Sequence, residues 1–475
     1  MFGAMVRESG WTPKLDKAGK PVYLAIADAI ASDVRDGVLA VGTRLPPLRA
    51  LAERLGLDFT TVSRAYAEAG RRGLLVGRVG QGTFVCAPPG EAVAVRDAAR
   101  TAGVVPSVID MTMNAPPLPA DPGLLGRMRR DMADLAADLA ERRLFGYGDH
   151  AGGEDDRAAG VTWLRHRLPD LTAERVLICP GAQGAMLALV STLARPGEVM
   201  ACEALTYPGM KALAGHLGLN LVGVAMDDGG LLPDAFEAVC RAHAPKALYC
   251  NPTLHNPTAT TLDAERRAAI VAIARRFGVA IVEDDAYGLL PEAGPPPLAV
   301  FGPDITYHIA GLAKCLAPAM RIAYLAVPDR RAAMRMAAAL RATMLMASPI
   351  SAALASRWIG SGLAGEVLAG IRAEARARQS LATELLPAES FFGDSDAFHL
   401  WLRLPGGWSR SDFTAHLRSR RLAVVAADAF AVGGVAPEAV RICLGTLADG
   451  DETRRVLGLL ADLMDQPASV ALSVV

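Results

Sequence analysis

The sequence predicts an α/β chain in two parts: a small head of helices and one hairpin, and a large body built around a mostly parallel sheet. Three observations carry this expectation. Over residues 110–475, short apolar runs alternate with longer amphipathic stretches, the pattern of strands and helices wound about a single sheet. The first 85 residues instead repeat apolar positions at helical spacing three times before two short extended runs. Charge divides at the same place. Residues 1–85 hold 12 Lys+Arg against 8 Asp+Glu, so the overall balance of −1 conceals a head of +4 and a remainder of −5.

A length of 475 residues leaves room for two or three domains, and 52% hydrophobic content with 21% charge excludes a disordered or fibrous chain. No apolar run approaches the roughly 18 residues that a membrane span needs. Arg7, Glu8 and Lys14 interrupt the start of the chain before any secretory apolar region, so a cytoplasmic protein with no membrane partner is expected. Seven widely spread cysteines, none spaced C-x-x-C, indicate neither a disulfide framework nor a zinc site, and no metal is expected.

In the head, Leu24, Ile26, Ala27, Ile30, Ala31 and Val34 mark one face of a helix that ends at Asp36-Gly37. After Leu45-Pro46-Pro47, a second helix carries Leu48, Leu51, Ala52 and Leu55 and stops at Gly56. A third runs from about Thr60 to Ala69 and buries Val62, Ala65, Tyr66 and Ala69. The extended runs Leu74–Val79 and Thr83–Cys86 flank Gly80-Gln81-Gly82 as a hairpin turn. Three helices and a hairpin make a winged helix-turn-helix. An α-helix fits the major groove, where base edges are distinguishable, and Thr60, Thr61, Ser63 and Arg64 lie in the first turns of the groove-entering helix. Arg44 and Arg49 stand just upstream, and Gln81 and Gly82 at the wing tip.

The run "GVLAVGTRLPPLRALAERLGLDFTTVSRAYAEAGRRGLLVGRVGQGTFV" resembles the DNA-binding head of the GntR family of regulators, over residues 21–86. The resemblance implies that Arg49, Thr60, Thr61 and Gly82 contact operator DNA. Phe59 departs from the family pattern, which often has a polar or basic residue there, so base preference does not carry over. Each arginine taken singly has a second reading as a solvated face. We take 1–86 as the DNA-binding domain, 87–109 as a linker on the strength of Pro88, Pro89, Gly90, Gly103 and Pro106, and 110–475 as the body.

In the body, Val176–Cys179, Val199–Ala201, Leu221–Ala225, Ala247–Cys250, Val279–Val282, Tyr307–Ala310 and Ile322–Val327 read as strands. Helical stretches such as Ala182–Leu193 and Leu262–Phe277 separate several of them. Functional groups of such sheets gather at the carboxyl ends of the strands. Gly181-Ala182-Gln183 opens a helix after the first strand, where backbone N–H groups and the positive dipole end suit a phosphate. Tyr207 in "LTYPG" follows the next strand and suits a flat aromatic ligand. Asn256 in "CNPTLHNPT", Asp284 and Tyr287 in "IVEDDAYG", Lys314 and Arg321 in "IAGLAKCLAPAMRIAYL", and Arg441 in "VRICLG" complete the series.

Together these motifs resemble the fold type I aminotransferases that bind pyridoxal 5'-phosphate, over residues 110–475. The resemblance implies that Lys314 forms the Schiff base, Asp284 pairs with the pyridine nitrogen, and Asn256 and Tyr287 bond the phenolic oxygen. It also implies that Arg321 clamps the phosphate, that Arg441 grips an effector carboxylate, and that Tyr147 in "YGDHAG" reaches the phosphate across a dimer interface. Tyr207 keeps a second reading as a core aromatic, and Arg441 as a structural ion-pair residue. His255 reads as a loop residue, and Asp285 as a capping or supporting group. Departures are Gly311 and Ala313 where aminotransferases place hydroxyl residues, Ala259 where glycine is usual, and Ala319 where "APG" is commoner.

A GntR head on an aminotransferase-like body is the layout of MocR-type regulators. It implies a pyridoxal-phosphate-dependent transcription factor, homodimeric, that senses an amine or amino-acid effector by external aldimine formation at Lys314. Sensing rather than physiological turnover is expected, with residual aminotransferase-type activity left open. A working aminotransferase with an appended DNA-binding module is the alternative, and a body that only dimerises the heads is a third reading.

Overall fold

A computed structural model describes residues 11–13, 21–35, 38–39, 43–72, 74–78, 82–85, 108–138 and 146–466. Gln81 and nearly all of the expected linker lie outside those residues. The chain forms two compact units, Met1–Ser107 and Val108–Val475.

In the first unit, helices span Val22–Arg35, Leu48–Leu55 and Phe59–Arg71, and strands Leu75–Arg78 and Gly82–Val85 pair antiparallel with Leu75 opposite Val85. Ile26, Ile30, Leu51, Val62, Ala65, Ala69 and Val85 fill its core. Gly56, at φ 64°, closes the second helix in the left-handed conformation that glycine adopts without a Cβ penalty. Asp58 caps the third helix by accepting from the Thr60 backbone N–H at 2.7 Å. Arg72 pins this helix to the first, with 2.7 Å to Asp28 and 2.8 Å to Glu68.

The second unit is built on a sheet of seven strands: β1 (Val176–Cys179), β2 (Val199–Glu203), β3 (Asn220–Val224), β4 (Ala247–Cys250), β5 (Ala280–Asp284), β6 (Thr306–Gly311) and β7 (Ala323–Ala326). Their order is β1-β7-β6-β5-β4-β2-β3, parallel from β6 through β3, with β7 antiparallel to both its neighbours. Side-chain alternation sends the strands to two cores. Ala201, Leu248, Cys250 and Ile281 pack on one face with the helix Ala264–Phe277, while Cys202, Tyr249 and Val282 pack on the other with Gly181–Leu193 and Arg330–Thr343.

A smaller antiparallel sheet follows the long helix Leu363–Leu385, in the order Phe391–Phe392, His399–Arg403, Ala439–Cys443, Val425–Ala426. Ile109, expected as the last linker residue, instead pairs in parallel with Leu422, so Ile109–Asp110 is part of the body. Among the described residues no helix is long and apolar enough to cross a membrane. No group of three or more His, Cys, Asp or Glu among them could hold a metal ion.

Candidate functional site

The carboxyl ends of β1, β2, β4, β5 and β6 bring most of the expected residues together. Asp284 ends β5 and is 6% exposed. The Tyr249 hydroxyl donates to its Oδ2 at 2.7 Å, and its Oδ1 is buried with no partner among the described residues. Burial pushes this carboxyl up to about 6; Tyr249 opposes the shift, Asp285 adds to it, and the charges of Lys314 and His308 oppose it.

Lys314 lies in the turn after β6, and its ammonium donates to the backbone carbonyl of Asn114. Burial draws the amine down to about 8; Cys443 and Asp284 resist, and the neighbouring cations Arg441 and Arg321 reinforce the effect. Its amine is therefore poised for nucleophilic chemistry near neutral pH. The Tyr287 hydroxyl accepts from Asn114 Nδ2 at 2.8 Å. The same Nδ2 is 3.2 Å from His399 Nδ1, and His399 Nε2 lies 3.1 Å from the His255 carbonyl. Burial holds His399 down at about 3, so the ring is neutral, with Nε2–H donating and Nδ1 accepting.

Arg441, on the smaller sheet, donates through Nη1 to Asn256 Oδ1 at 2.8 Å and through Nη2 to the carbonyl of Thr112. Its Nε is buried without a partner, and its guanidinium stands 5.2 Å from the centre of the Phe430 ring. The Asn256 backbone is fixed by Asn251 Oδ1 at 2.8 Å.

Gly181 begins the helix Gly181–Leu193 at φ 72°, and a Cβ built there would stand 3.1 Å from Arg321 Nη2. The guanidinium thus lies beside the start of that helix, where the first N–H groups have no intrahelical partner. Gly311 faces the same place, its Cβ position 3.4 Å from Ala182 Cβ, which leaves this end of the cradle to backbone amides. Tyr207 caps the helix Pro208–His216 with its ring against Gly209, and its phenol is raised by burial and Asp284 and lowered by Arg321 and Arg441. Ala259 adopts a left-handed φ of 59°, a conformation that favours glycine.

Residues without a sequence motif complete the surroundings. Tyr249 and Asn114 hold Asp284 and Tyr287. Glu203, pushed up to about 8 by burial, accepts from the Asn251 N–H at 2.6 Å and lies 3.9 Å from His255 Nε2. His255 does lie in a loop, but a buried one: it is 3% exposed and pushed down to about 3 by burial, so its ring is neutral. Of its two expected roles, Asp285 takes the supporting one, pairing with Arg167 at 3.1 Å.

Tyr147 is placed elsewhere. It is 83% exposed and lines a cavity of about 380 Å³ with Asp149, Gly152, Asp156 and Pro349, none of them part of the Lys314 cluster. In the head, Arg49, Thr60 and Arg64 are exposed and Arg44, Thr61 and Ser63 half-buried. The Thr60 hydroxyl bonds Asp58, and the Arg64 guanidinium stacks 4.5 Å over the Tyr23 ring. Arg44 lies against Gly82, where a Cβ would come within 2.7 Å of its Nε.

Comparison with known proteins agrees with both halves of this architecture. Residues 106–457 match the family described as aminotransferase class I and II, and residues 22–85 the gntR family of bacterial regulatory proteins. The uncharacterized HTH-type transcriptional regulator YdeF of Bacillus subtilis is 31% identical over 457 residues, covering 96% of this chain and 97% of its own. The probable rhizopine catabolism regulatory protein MocR of Rhizobium meliloti is 27% identical, covering 66% of this chain and 67% of its own. The crystal structure of the kynurenine aminotransferase of Pyrococcus horikoshii superposes with a TM-score of 0.68 at 20% identity, over 79% of this chain and 96% of that one.

Proposed function

We propose, for a chain that belongs to the aminotransferase class I and II family and carries a gntR-type head like the HTH-type regulators it matches, that the body binds pyridoxal 5'-phosphate and senses an amine or amino acid through Lys314. The observation that carries this reading is the convergence of a half-buried amine, Lys314, drawn down by desolvation, with a buried carboxylate, Asp284, that keeps one oxygen open.

The residues present fit the cofactor. Asp284 Oδ1 suits a pyridine N–H, and Tyr249 keeps the other oxygen supplied with a donor. The first turn at Gly181 with Arg321 suits a phosphate, in keeping with the anion preference of helix N-termini. Arg441 occupies Asn256 Oδ1, which leaves the donor end of that amide for the phenolic oxygen, and Tyr287 keeps its own O–H to donate. The Tyr207 ring forms one wall. When bound, the cofactor supplies a carbonyl that captures amines and a ring that withdraws electrons. The chain's part is to present Lys314 unprotonated, hold Asp284 ionised, and offer Arg441 to a carboxylate.

Two copies are expected to assemble, because Tyr147 stands exposed and away from its own Lys314 site and is free to complete a partner's. The paired heads would then read two half-sites through Arg44, Arg49, Thr60, Thr61 and Gly82.

The test joins two readouts on the full chain: visible absorbance on cofactor addition, and affinity for an operator selected from a random-sequence pool. Lys314→Ala should abolish the lysine-dependent band and leave basal operator binding intact. A panel of amines should then move band and operator affinity together in the wild type. No visible band would refute the cofactor site, and multiple turnovers of amino acid with oxo acid at ordinary enzyme rates would make the body an enzyme instead.

A further inference from the structure

We infer that Phe59 is the residue with which the head reads sequence at the leading end of its groove-entering helix, and that the base it selects is thymine, recognised by its 5-methyl group; this rests on the DNA-binding role of the head. The helix Phe59–Arg71 is held firmly in its unit. Val62, Ala65, Tyr66 and Ala69 are buried in the core, the Tyr66 hydroxyl donates to the Pro46 carbonyl at 2.9 Å, and Arg72 bonds Asp28 at 2.7 Å. Phe59 lies one turn before Val62 on the same stripe, yet it is 44% exposed, and no other aromatic side chain among the described residues of the head is as open. With Asp58 as the cap, Phe59 is the first helical residue. Cα–Cβ bonds tilt toward a helix's N-terminus, so its ring projects past the end that enters the major groove.

The polar neighbours of Phe59 are engaged within the head. The Thr60 N–H and hydroxyl both bond Asp58 Oδ1, and the Arg64 guanidinium lies 4.5 Å over the Tyr23 ring. Asp58 is held below the usual carboxylate range by its bonds from Thr60, so it brings negative charge and no donor to this end. It repels a phosphate and cannot bond the acceptors N7 and O6 of guanine. What the tip presents is a flat apolar surface on a rigid element. Guanine, cytosine and adenine show donors and acceptors in the major groove, and thymine alone adds a methyl group. A ring laid on a donor or acceptor takes water from it without replacing the bond, whereas a ring laid on the methyl group buries carbon against carbon. Because the helix is already fixed, few conformations are lost on contact.

The experiment uses the full chain. Operators are selected from a random-sequence pool. Affinity is then measured on one selected duplex and on copies in which its thymines are replaced by uracil one at a time, a change that removes the methyl group and no base-pairing atom. At one thymine, uracil should weaken wild-type binding about fourfold, the value of one buried methyl group, and leave Phe59→Ala binding unchanged. Exchanging that T·A pair for C·G should weaken the wild type further, and 5-methylcytosine in place of that cytosine should restore about fourfold. Phe59→Arg should instead select guanine at that pair, through two bonds to O6 and N7. Wild-type affinity indifferent to every single uracil, or methyl discrimination that Phe59→Ala retains in full, overturns the inference. The wild-type uracil series decides even where a variant fails to fold. A wild-type chain that enriches no sequence from the pool refutes DNA binding by the head, and the inference with it, at the first step.

Discussion

Replacing Tyr249 with phenylalanine removes one oxygen and tests how the site keeps its central carboxylate ionised. The Tyr249 hydroxyl, 2.7 Å from Asp284 Oδ2, is the hydrogen-bond donor that this carboxyl has among the described residues, since Oδ1 is open. A hydrogen bond to a charged group contributes roughly 1.5–3 kcal/mol, and 1.36 kcal/mol corresponds to one pKa unit, so its loss raises the carboxyl by about 1–2 units. Starting from about 6, where burial has already lifted it, Asp284 would then titrate at about 7–8. Only the ionised form pairs with a protonated pyridine nitrogen. Cofactor affinity at pH 6.5 should therefore fall by about 3- to 25-fold, while at pH 8.5 the deficit should shrink below about twofold. Titrating visible absorbance with pyridoxal 5'-phosphate at the two pH values measures both. An equal loss at both, or no loss at pH 6.5, would show that Tyr249 acts by shape alone and would refute the assignment.

In the wild type the same carboxyl makes affinity fall as pH drops through about 6, by about tenfold per unit below it, and Asp284→Asn should flatten that slope while weakening binding throughout. Gly181→Ala places a side chain at φ 72° against Arg321, and the left-handed conformation costs about 1–2 kcal/mol. Cofactor affinity should fall about tenfold in that variant, and competition by inorganic phosphate should weaken with it; phosphate competition at wild-type strength would remove the cradle. Arg49→Ala should weaken operator binding with the visible band unchanged, and lower the slope of log affinity against log salt by about one if the arginine meets a phosphate. Arg267 is fully buried 3.8 Å from Glu283, so Arg267→Leu should lower the melting temperature by several degrees, in line with a cost of about 3–5 kcal/mol for breaking a buried pair. An unchanged melting temperature would show that pair to be without structural weight.

All seven strands of the large sheet were legible because each reads as an apolar run between amphipathic helices, and all but the edge strand β3 are buried along most of their length. Their ends drifted by one or two residues, where nothing but hydrogen bonding decides. The two-residue strands of the smaller sheet have too little sequence to show a period, so only His399–Arg403 and Ala439–Cys443 are long enough to have been found. Asp284, Tyr287, Lys314 and Arg441 were accessible through order and spacing along the chain. Asn114 was not: its partners Tyr287 and His399 lie 173 and 285 residues away, and "MNAPP" carries no motif. Tyr249 had a weak signal, a phenol on an otherwise apolar buried strand, where a hydroxyl requires a partner. His255 read correctly as a loop residue, but its burial was not legible: besides Thr258 of its own loop, at 2.8 Å from Nδ1, it meets Glu203 and His399 from distant parts of the chain.

The run Glu283-Asp284-Asp285 shows why acidity in sequence does not reveal chemistry. Three adjacent carboxylates would repel one another if they shared a space, but strand alternation and the turn after β5 send them to three different places. Glu283 points into the protein. There it accepts from the Leu298 and Ala299 N–H groups at 2.7 and 3.1 Å and lies 2.9 Å from His308 Nδ1. Asp285 is held below the usual carboxylate range although burial works against this, because Arg167 and His308 stand beside it at 3.1 and 3.7 Å with Arg267 close by. Asp284, between them, receives one phenol and the more distant charge of Lys314, so burial prevails and its carboxyl rises. Of the two flanking acids, Glu283 is filled by protein donors, while Asp285 keeps Oδ1 without a hydrogen bond among the described residues but has its charge met by Arg167 and His308. The middle one keeps an open oxygen too, and it is the one whose charge acts on Lys314. The buried arginines and His308 therefore serve function indirectly. They neutralise the neighbours of Asp284, so that its one unfilled valence stands out against a compensated background, and a protonated ring nitrogen is the partner that completes it.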